Sequence, residues 1–175
     1  VYGASKLAGD LALAESGADY LVLRTSWVYG ARGANFLRTI LRLAAEREEL
    51  KIVADQIGAP TWSRMIAEAT AAIVAQCYGV KPTGLAPFKG VYHLTNAGQT
   101  SWHGFTEAIL ALTADFASSQ GRKLQRVLPI PTSEYPLPAK RTQYSVLSND
   151  KLATTFGVTL PDWRASLAAV VESLN

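Results

Sequence analysis

Residues 2–30 read YGASKLAGDLALAESGADYLVLRTSWVYG, and the fold turns on this stretch. Its first half, Tyr2 to Glu15, carries apolar residues at Leu7, Leu11 and Ala14, spaced three or four apart, the period of one face of an α-helix. Ser16–Gly17 stop that helix. Tyr20 to Val28 is short, almost fully apolar at its start, and rich in β-branched and aromatic residues, which predicts a strand. A helix feeding such a strand is half of a parallel α/β unit, because a strand covered on both faces reads as a nearly continuous apolar run.

The same alternation continues outward. A glycine-rich turn, Tyr29 to Ala34, leads into a helix predicted from Asn35 to Glu49. Lys51 to Ala54 predicts a strand, followed by the loop DQIGAPTW and a helix capped by Ser63 and running to Tyr78. Beyond the Gly/Pro-rich loop Gly79 to Lys89, Val91 to Thr95 predicts a strand, Asn96 to Thr100 a turn and Trp102 to Ser118 a helix. The basic turn SQGRK follows, then a strand at Val127 to Ile130. TSEYPLPAKRTQYS is broken by proline and reads as an irregular, site-lining segment, and helices at Lys151 to Phe156 and Trp163 to Leu174 close the chain. The order is that of a mixed α/β protein. The strand at Tyr20 finds a parallel partner only in VYHLT, so the sheet reads as incomplete, with an open edge that predicts dimerisation or edge pairing.

Composition bounds the function. The 175 residues are 49% hydrophobic and 18% charged, enough for a core and unlike a disordered chain. The longest apolar runs fall short of a membrane span. A net charge of +3 and a pI near 9.1, without a Lys/Arg stripe, exclude a nucleic-acid binder and suit a small anionic ligand. The single cysteine, Cys77, rules out an internal disulfide, reads as a small apolar filler and points to a reducing cytoplasm. His93 and His103 belong to no metal-ligand pattern, and no Ser-His-Asp order or G-x-G-x-x-G fingerprint occurs. The start at Val1, with no methionine or signal peptide, reads as that of a fragment.

Tyr2 and Lys6 lie one helical turn apart and project from one face. A phenol is a weak acid near neutrality, and an ammonium beside it favours the phenolate. Such a pair can give a proton to a carbonyl oxygen as hydride reaches its carbon. Taken alone the spacing is weak, since Tyr and Lys meet at i,i+4 on many helices. Further motifs give it a context: R-T-S-W-V-Y-G at Arg24 to Gly30, N-F at Asn35–Phe36, and D-Q-x-G-A-P-T at Asp55 to Thr61. G-V-Y-H-L at Gly90 to Leu94 and P-A-K-R followed by Y-S-V-L at Pro138 to Leu147 complete the series.

In this order the motifs resemble those of the extended short-chain dehydrogenase/reductases, within them the reductases of a 4-keto sugar nucleotide, over nearly the whole chain. The resemblance implies the C-terminal part of an NAD(P)-binding Rossmann fold, an incomplete parallel sheet plus a small substrate-binding α/β lobe. Residues 1–34 would be a remnant of the Rossmann domain and 35–175 mainly the substrate lobe, with 90–118 returning to the Rossmann sheet. It also implies NAD(P)H-dependent reduction of dTDP-4-dehydro-L-rhamnose to dTDP-L-rhamnose by a cytoplasmic parent protein, the fragment itself being inactive. Tyr2 and Lys6 become the catalytic pair, also touching the cofactor (NADPH or NADH) together with Thr25 and Ser26. Trp27, Asn35, Gln56, Thr61 and Arg141 become substrate contacts, although Asn35 equally suits an N-cap and Arg141 a surface position. Thr142 stands where the family usually has proline, which leaves the geometry of that loop open. Some relatives bind magnesium at a subunit interface, for which no ligands map here. The alternatives are a nucleotide-sugar epimerase or dehydratase of the same family, a non-catalytic relative resembling the regulatory subunit of methionine adenosyltransferase, or a folded interaction module. R-T-S-W and D-Q-x-G-A-P-T favour the reductase.

Overall fold

The computed structural model describes residues 1–80, 82–114, 121–136, 138–139 and 141–174. The chain opens with α1 (Tyr2–Glu15), β1 (Leu21–Arg24), β2 (Val28–Tyr29), α2 (Phe36–Glu46) and β3 (Glu49–Val53). Next come β4 (Ile57–Gly58), β5 (Thr61–Trp62), α3 (Ser63–Tyr78) and β6 (Gly90–His93). The last elements are β7 (Thr100–Ser101), α4 (Trp102–Leu112), β8 (Arg126–Ile130), α5 (Asp150–Phe156) and α6 (Trp163–Glu172). The far end of the helix expected to reach Ser118, and the start of the SQGRK turn, lie outside the described residues.

Among the described residues the strands form four pairs. β1 and β6 run parallel with Leu21 opposite Gly90 and Arg24 opposite His93, so YLVLRT and VYHLT do find each other. β3 and β8 form a second parallel pair, Glu49 opposite Arg126 to Val53 opposite Ile130, which joins the strands expected at Lys51 to Ala54 and Val127 to Ile130. Two pairs were not legible: β2 with β5, and the antiparallel β4 with β7, in which Ile57 faces Ser101 and Gly58 faces Thr100. Each strand there is two residues long, too short to show a period.

Two apolar clusters hold these layers. One packs α2, α4 and α6 around Phe105, with Tyr29, Leu37, Ile40, Ile109, Trp163 and Leu167. The other sets α3 and α5 against β6, through Ile73, Cys77, Tyr92, Leu94 and Phe156. Cys77 is fully buried there, the apolar filler its composition predicts. Burial pushes the Tyr29 phenol, which has no hydrogen-bond partner, well above its ordinary value.

Between the clusters lies Asn96. Its Oδ1 accepts from the Trp62 amide at 3.1 Å, and its Nδ2 donates to Pro161 O at 2.8 Å and to Ser166 Oγ at 2.5 Å. Its own amide donates to Thr61 Oγ1 at 3.3 Å. One side chain thus joins β5, the segment after β6 and α6. Ser63 departs from its expected role: Trp62 is the N-cap of α3, with no side-chain cap, and Ser63 is the first helical residue. The β2·β5 pairing fixes Trp62 in extended backbone and leaves the cap position to it.

α1 is a different case. It buries none of its side chains, and Leu7 and Leu11 are about half exposed. Its ties to the rest include Arg24 Nη2 to Asp10 at 2.7 Å, and beyond its end Lys89 Nζ pairs with Asp19 at 2.9 Å. Asn96→Ala should leave three partners without their bond at once, two of them buried, and lower stability by about 3 kcal/mol. The check is the unfolding midpoint, and an unchanged value would remove Asn96 from this role.

Candidate active site

The carboxyl end of β1 opens into a cleft of about 990 Å³ between α2, β3 and the segment after β8. Ligands of open α/β sheets collect outside the carboxyl ends of the strands. Ser26, Trp27, Phe36, Gln56, Trp102 and Arg141 line this one. Tyr135, Arg141 and Thr142 also line a neighbouring hollow of about 880 Å³, so the two share a wall.

Trp27 dominates one wall. Its backbone sits at φ 48, in the left-handed region where a bulky side chain is held at a cost of about 1–3 kcal/mol. Its carbonyl accepts from the Thr61 amide at 3.1 Å. Its indole lies on that of Trp102 with centroids 3.5 Å apart and planes 4° from parallel. Aromatic quadrupoles disfavour such full overlap relative to an offset stack, so the backbone must impose it. Phe36 backs Trp102 at 4.6 Å and continues to Phe105 in the core at 5.7 Å.

The opposite wall is built from Glu134, Tyr135, Arg141, Thr142 and Ser145, in a stretch pinned at two points. Thr132 donates to Asp55 twice, from its amide at 2.9 Å and its hydroxyl at 2.6 Å, and the same hydroxyl accepts from Gln56 Nε2 at 3.1 Å. Ile57 then donates to Gln143 O at 2.7 Å and accepts from the Ser145 amide at 2.9 Å. Tyr135 and Arg141 ride between these pins. The Thr132 hydroxyl, and then its amide, hold the Asp55 carboxyl below the usual carboxylate range.

The residues singled out in the sequence fall into three groups. Ser26, Trp27, Gln56 and Arg141 line the cleft together. Ser26 Oγ is buried there with no partner, an unusual state for a hydroxyl and one that a ligand can relieve. Asn35 and Thr61 are committed internally. Asn35 caps α2 by accepting from the Arg38 amide at 3.2 Å, and it donates to Gly30 O at 2.9 Å, which shapes the glycine turn. Thr61 is fully buried, donating to Ala59 O and accepting from the Asn96 amide. Tyr2, Lys6 and Thr25 do not line the cleft. Tyr2 is 77% exposed, and Lys6 Nζ lies 5.7 Å from the centre of its ring, on the shared face that their spacing predicts. Thr25 is exposed just past the end of β1.

Sequence reasoning missed Trp102, Phe36, Asp55, Thr132 and Tyr135 as parts of this site. Asp55 and Phe36 stood inside quoted motifs, but Asp55 and Thr132 are 77 positions apart and no spacing links them. Among the described residues no group of three His, Cys, Asp or Glu could hold a metal ion, and none is long and apolar enough as a helix to cross a membrane. Tyr2 and Lys6 share one face of α1, and the Ser26 hydroxyl is left without a partner.

A β1·β6 pair opening onto an aromatic-walled cleft over a smaller sheet defines the class: this is a lobe of the extended short-chain dehydrogenase/reductase fold. The chain belongs to the RmlD substrate binding domain family, whose profile matches residues 1–175. It is 56% identical over 173 residues to a dTDP-4-dehydrorhamnose reductase of Burkholderia thailandensis, covering 99% of this chain and 58% of that protein. A solved dTDP-4-dehydrorhamnose reductase of Bacillus anthracis, in complex with NADP, superimposes with a TM-score of 0.82 at 33% identity, over 98% of this chain and 55% of that one. One from Clostridium acetobutylicum gives 0.83 at 34% identity, over 99% and 55%. The chain therefore spans little more than half the length of the relatives it matches.

Replacing Asp55 by Asn should weaken the pin at Thr132. A carboxyl held low in the folded state contributes stability that is complete above its unfolded value, about 4, and fades as pH falls through the folded one. The melting gap between wild type and Asp55→Asn should therefore be present at pH 7 and narrow in acid. A gap of constant size from pH 7 to pH 3 would show that the charge is not what matters.

Proposed function

We propose that the protein to which this chain belongs reduces dTDP-4-dehydro-L-rhamnose to dTDP-L-rhamnose with a nicotinamide dinucleotide, in the cytoplasm. The observation that carries the reading is the cleft itself, walled by the Trp27–Trp102 stack and by Gln56 and Arg141, within a chain of this family. A flat aromatic wall suits a nucleotide or sugar face, and a guanidinium on the far side suits a diphosphate. Residues 1–34 belong, in this reading, with the dinucleotide-binding domain and 35–175 mainly with the sugar-nucleotide side, with 90–118 rejoining the sheet through β6.

When bound, the nicotinamide supplies the hydride. Tyr2 holds the proton destined for the C4 oxygen of the sugar at its hydroxyl, and Lys6 stabilises the phenolate left behind. Lys6 would also hold the nicotinamide ribose, and Thr25 and Ser26 would contact the cofactor. Trp27 orients the sugar nucleotide, Gln56 contacts it and Arg141 pairs with its phosphates. Asn35 and Thr61 serve the same site by fixing the turns that carry Trp27 and its neighbours. For the chain by itself the protein partner is a second copy, paired through the open β1 edge. The chain alone carries no G-x-G-x-x-G fingerprint and should be inactive, with no NADPH binding in the micromolar range by calorimetry.

The test is NADPH oxidation by the protein containing this chain, with dTDP-4-dehydrorhamnose as substrate. Tyr2→Phe should lower kcat by about 10²-fold or more, the usual worth of a positioned acid. Full activity in Tyr2→Phe, or none in the wild-type protein with this sugar, would overturn the reading.

A further inference from the structure

The strained Trp27 does not hold itself in place. Left-handed backbone is a cost, and a full-overlap stack is not the arrangement that two free indoles adopt. Three features impose both. Trp102 is the first residue of α4, and Ser101 caps that helix by accepting from the Gly104 amide at 3.0 Å, which fixes the direction in which α4 begins. The β4·β7 ladder sets Ser101 opposite Ile57 and Thr100 opposite Gly58, which brings the start of α4, and with it Trp102, against β4. Gly58 has no side chain where the Trp27 indole lies: a Cβ built there would clash with the Trp27 ring, against Cε2, Nε1 and Cζ2. The φ of Gly58 is ordinary, so the demand for glycine is one of space and not of backbone freedom.

We infer that Trp102 and Gly58 are the positioning residues of this site: Trp102 clamps one face of the Trp27 indole and Gly58 leaves the slot for its edge, so that the remaining surface of Trp27 is presented to the sugar nucleotide. Neither needs to touch the reacting atoms. The inference rests on the reading of Trp27 as the substrate-seating residue. Its physical half, that these two residues set the Trp27 ring, stands apart from that reading.

Two indoles stacked at this distance couple their transitions and give a paired band in the far-ultraviolet circular dichroism. The experiment measures that band, and separately the affinity for dTDP-L-rhamnose by calorimetry, in the whole protein. Variants are Trp102→Leu, Trp102→Phe and Gly58→Ala, with Trp27→Phe as the reference for loss of the band. Trp102→Leu should abolish the band and weaken binding by about tenfold, the size of a lost aromatic contact. Trp102→Phe should also abolish the band yet recover most of the affinity, because a smaller ring still clamps Trp27. Gly58→Ala keeps both indoles but should reduce the band and raise KM with little change in kcat. A band that survives in Gly58→Ala, or wild-type affinity in Trp102→Leu with a normal melting curve, would overturn the inference. Failure of the wild-type protein to bind dTDP-L-rhamnose would overturn the functional reading instead, while the optical comparison among the variants still decides the positioning.

Discussion

The contact between Trp27 and Trp102 is the constraint around which the site is built. Trp27 lies between β1 and β2, immediately before Val28, whereas Trp102 begins α4. Bringing them face to face requires β4 to pair with β7, Thr61 to hold the Trp27 carbonyl, and position 58 to carry no side chain. Each is a local demand of ordinary size. Together they hold a large residue in backbone that it would otherwise leave, a pattern typical of functional sites, where strain persists because the surroundings over-determine it.

The stack also connects cleft and core. Phe36 leans on Trp102, Phe105 on Phe36, and Trp163 meets Phe105 edge-on at 5.8 Å. Packed interiors deform little, so this ladder gives the cleft wall the stiffness of the core. The opposite wall is held differently, by polar pins: Asp55 and Gln56 on Thr132 at one end, Ile57 on Gln143 and Ser145 at the other. One wall is thus fixed by packing, the other by hydrogen bonds that solvent and pH can reach.

How far the sequence disclosed this depended on the range of each interaction. α1 and β1 followed from apolar period and composition, and the pairing of β1 with β6 and of β3 with β8 followed from having few apolar runs to match. Trp27, Gln56 and Arg141 stood in motifs, and all three line the cleft. The two-residue strands carried no pattern, and with them went the β4·β7 ladder and hence Trp102. Thr132 reaches Asp55 only across the folded chain. Ser63 looked like a helix cap by residue type, but the β2·β5 pairing claimed the preceding position first. Asn35 shows the reverse case, a residue for which local capping chemistry alone accounts for its contacts.

The central claim is that a sugar nucleotide sits against the Trp27 wall. The four indoles, at positions 27, 62, 102 and 163, report on it directly. Only Trp27 and Trp102 line the cleft, whereas Trp62 and Trp163 are buried in the core. In the whole protein, labelled with nitrogen-15 at tryptophan and titrated with dTDP, the indole signals of Trp27 and Trp102 should shift saturably while those of Trp62 and Trp163 hold still. Saturable binding that leaves Trp27 and Trp102 unmoved would contradict the account.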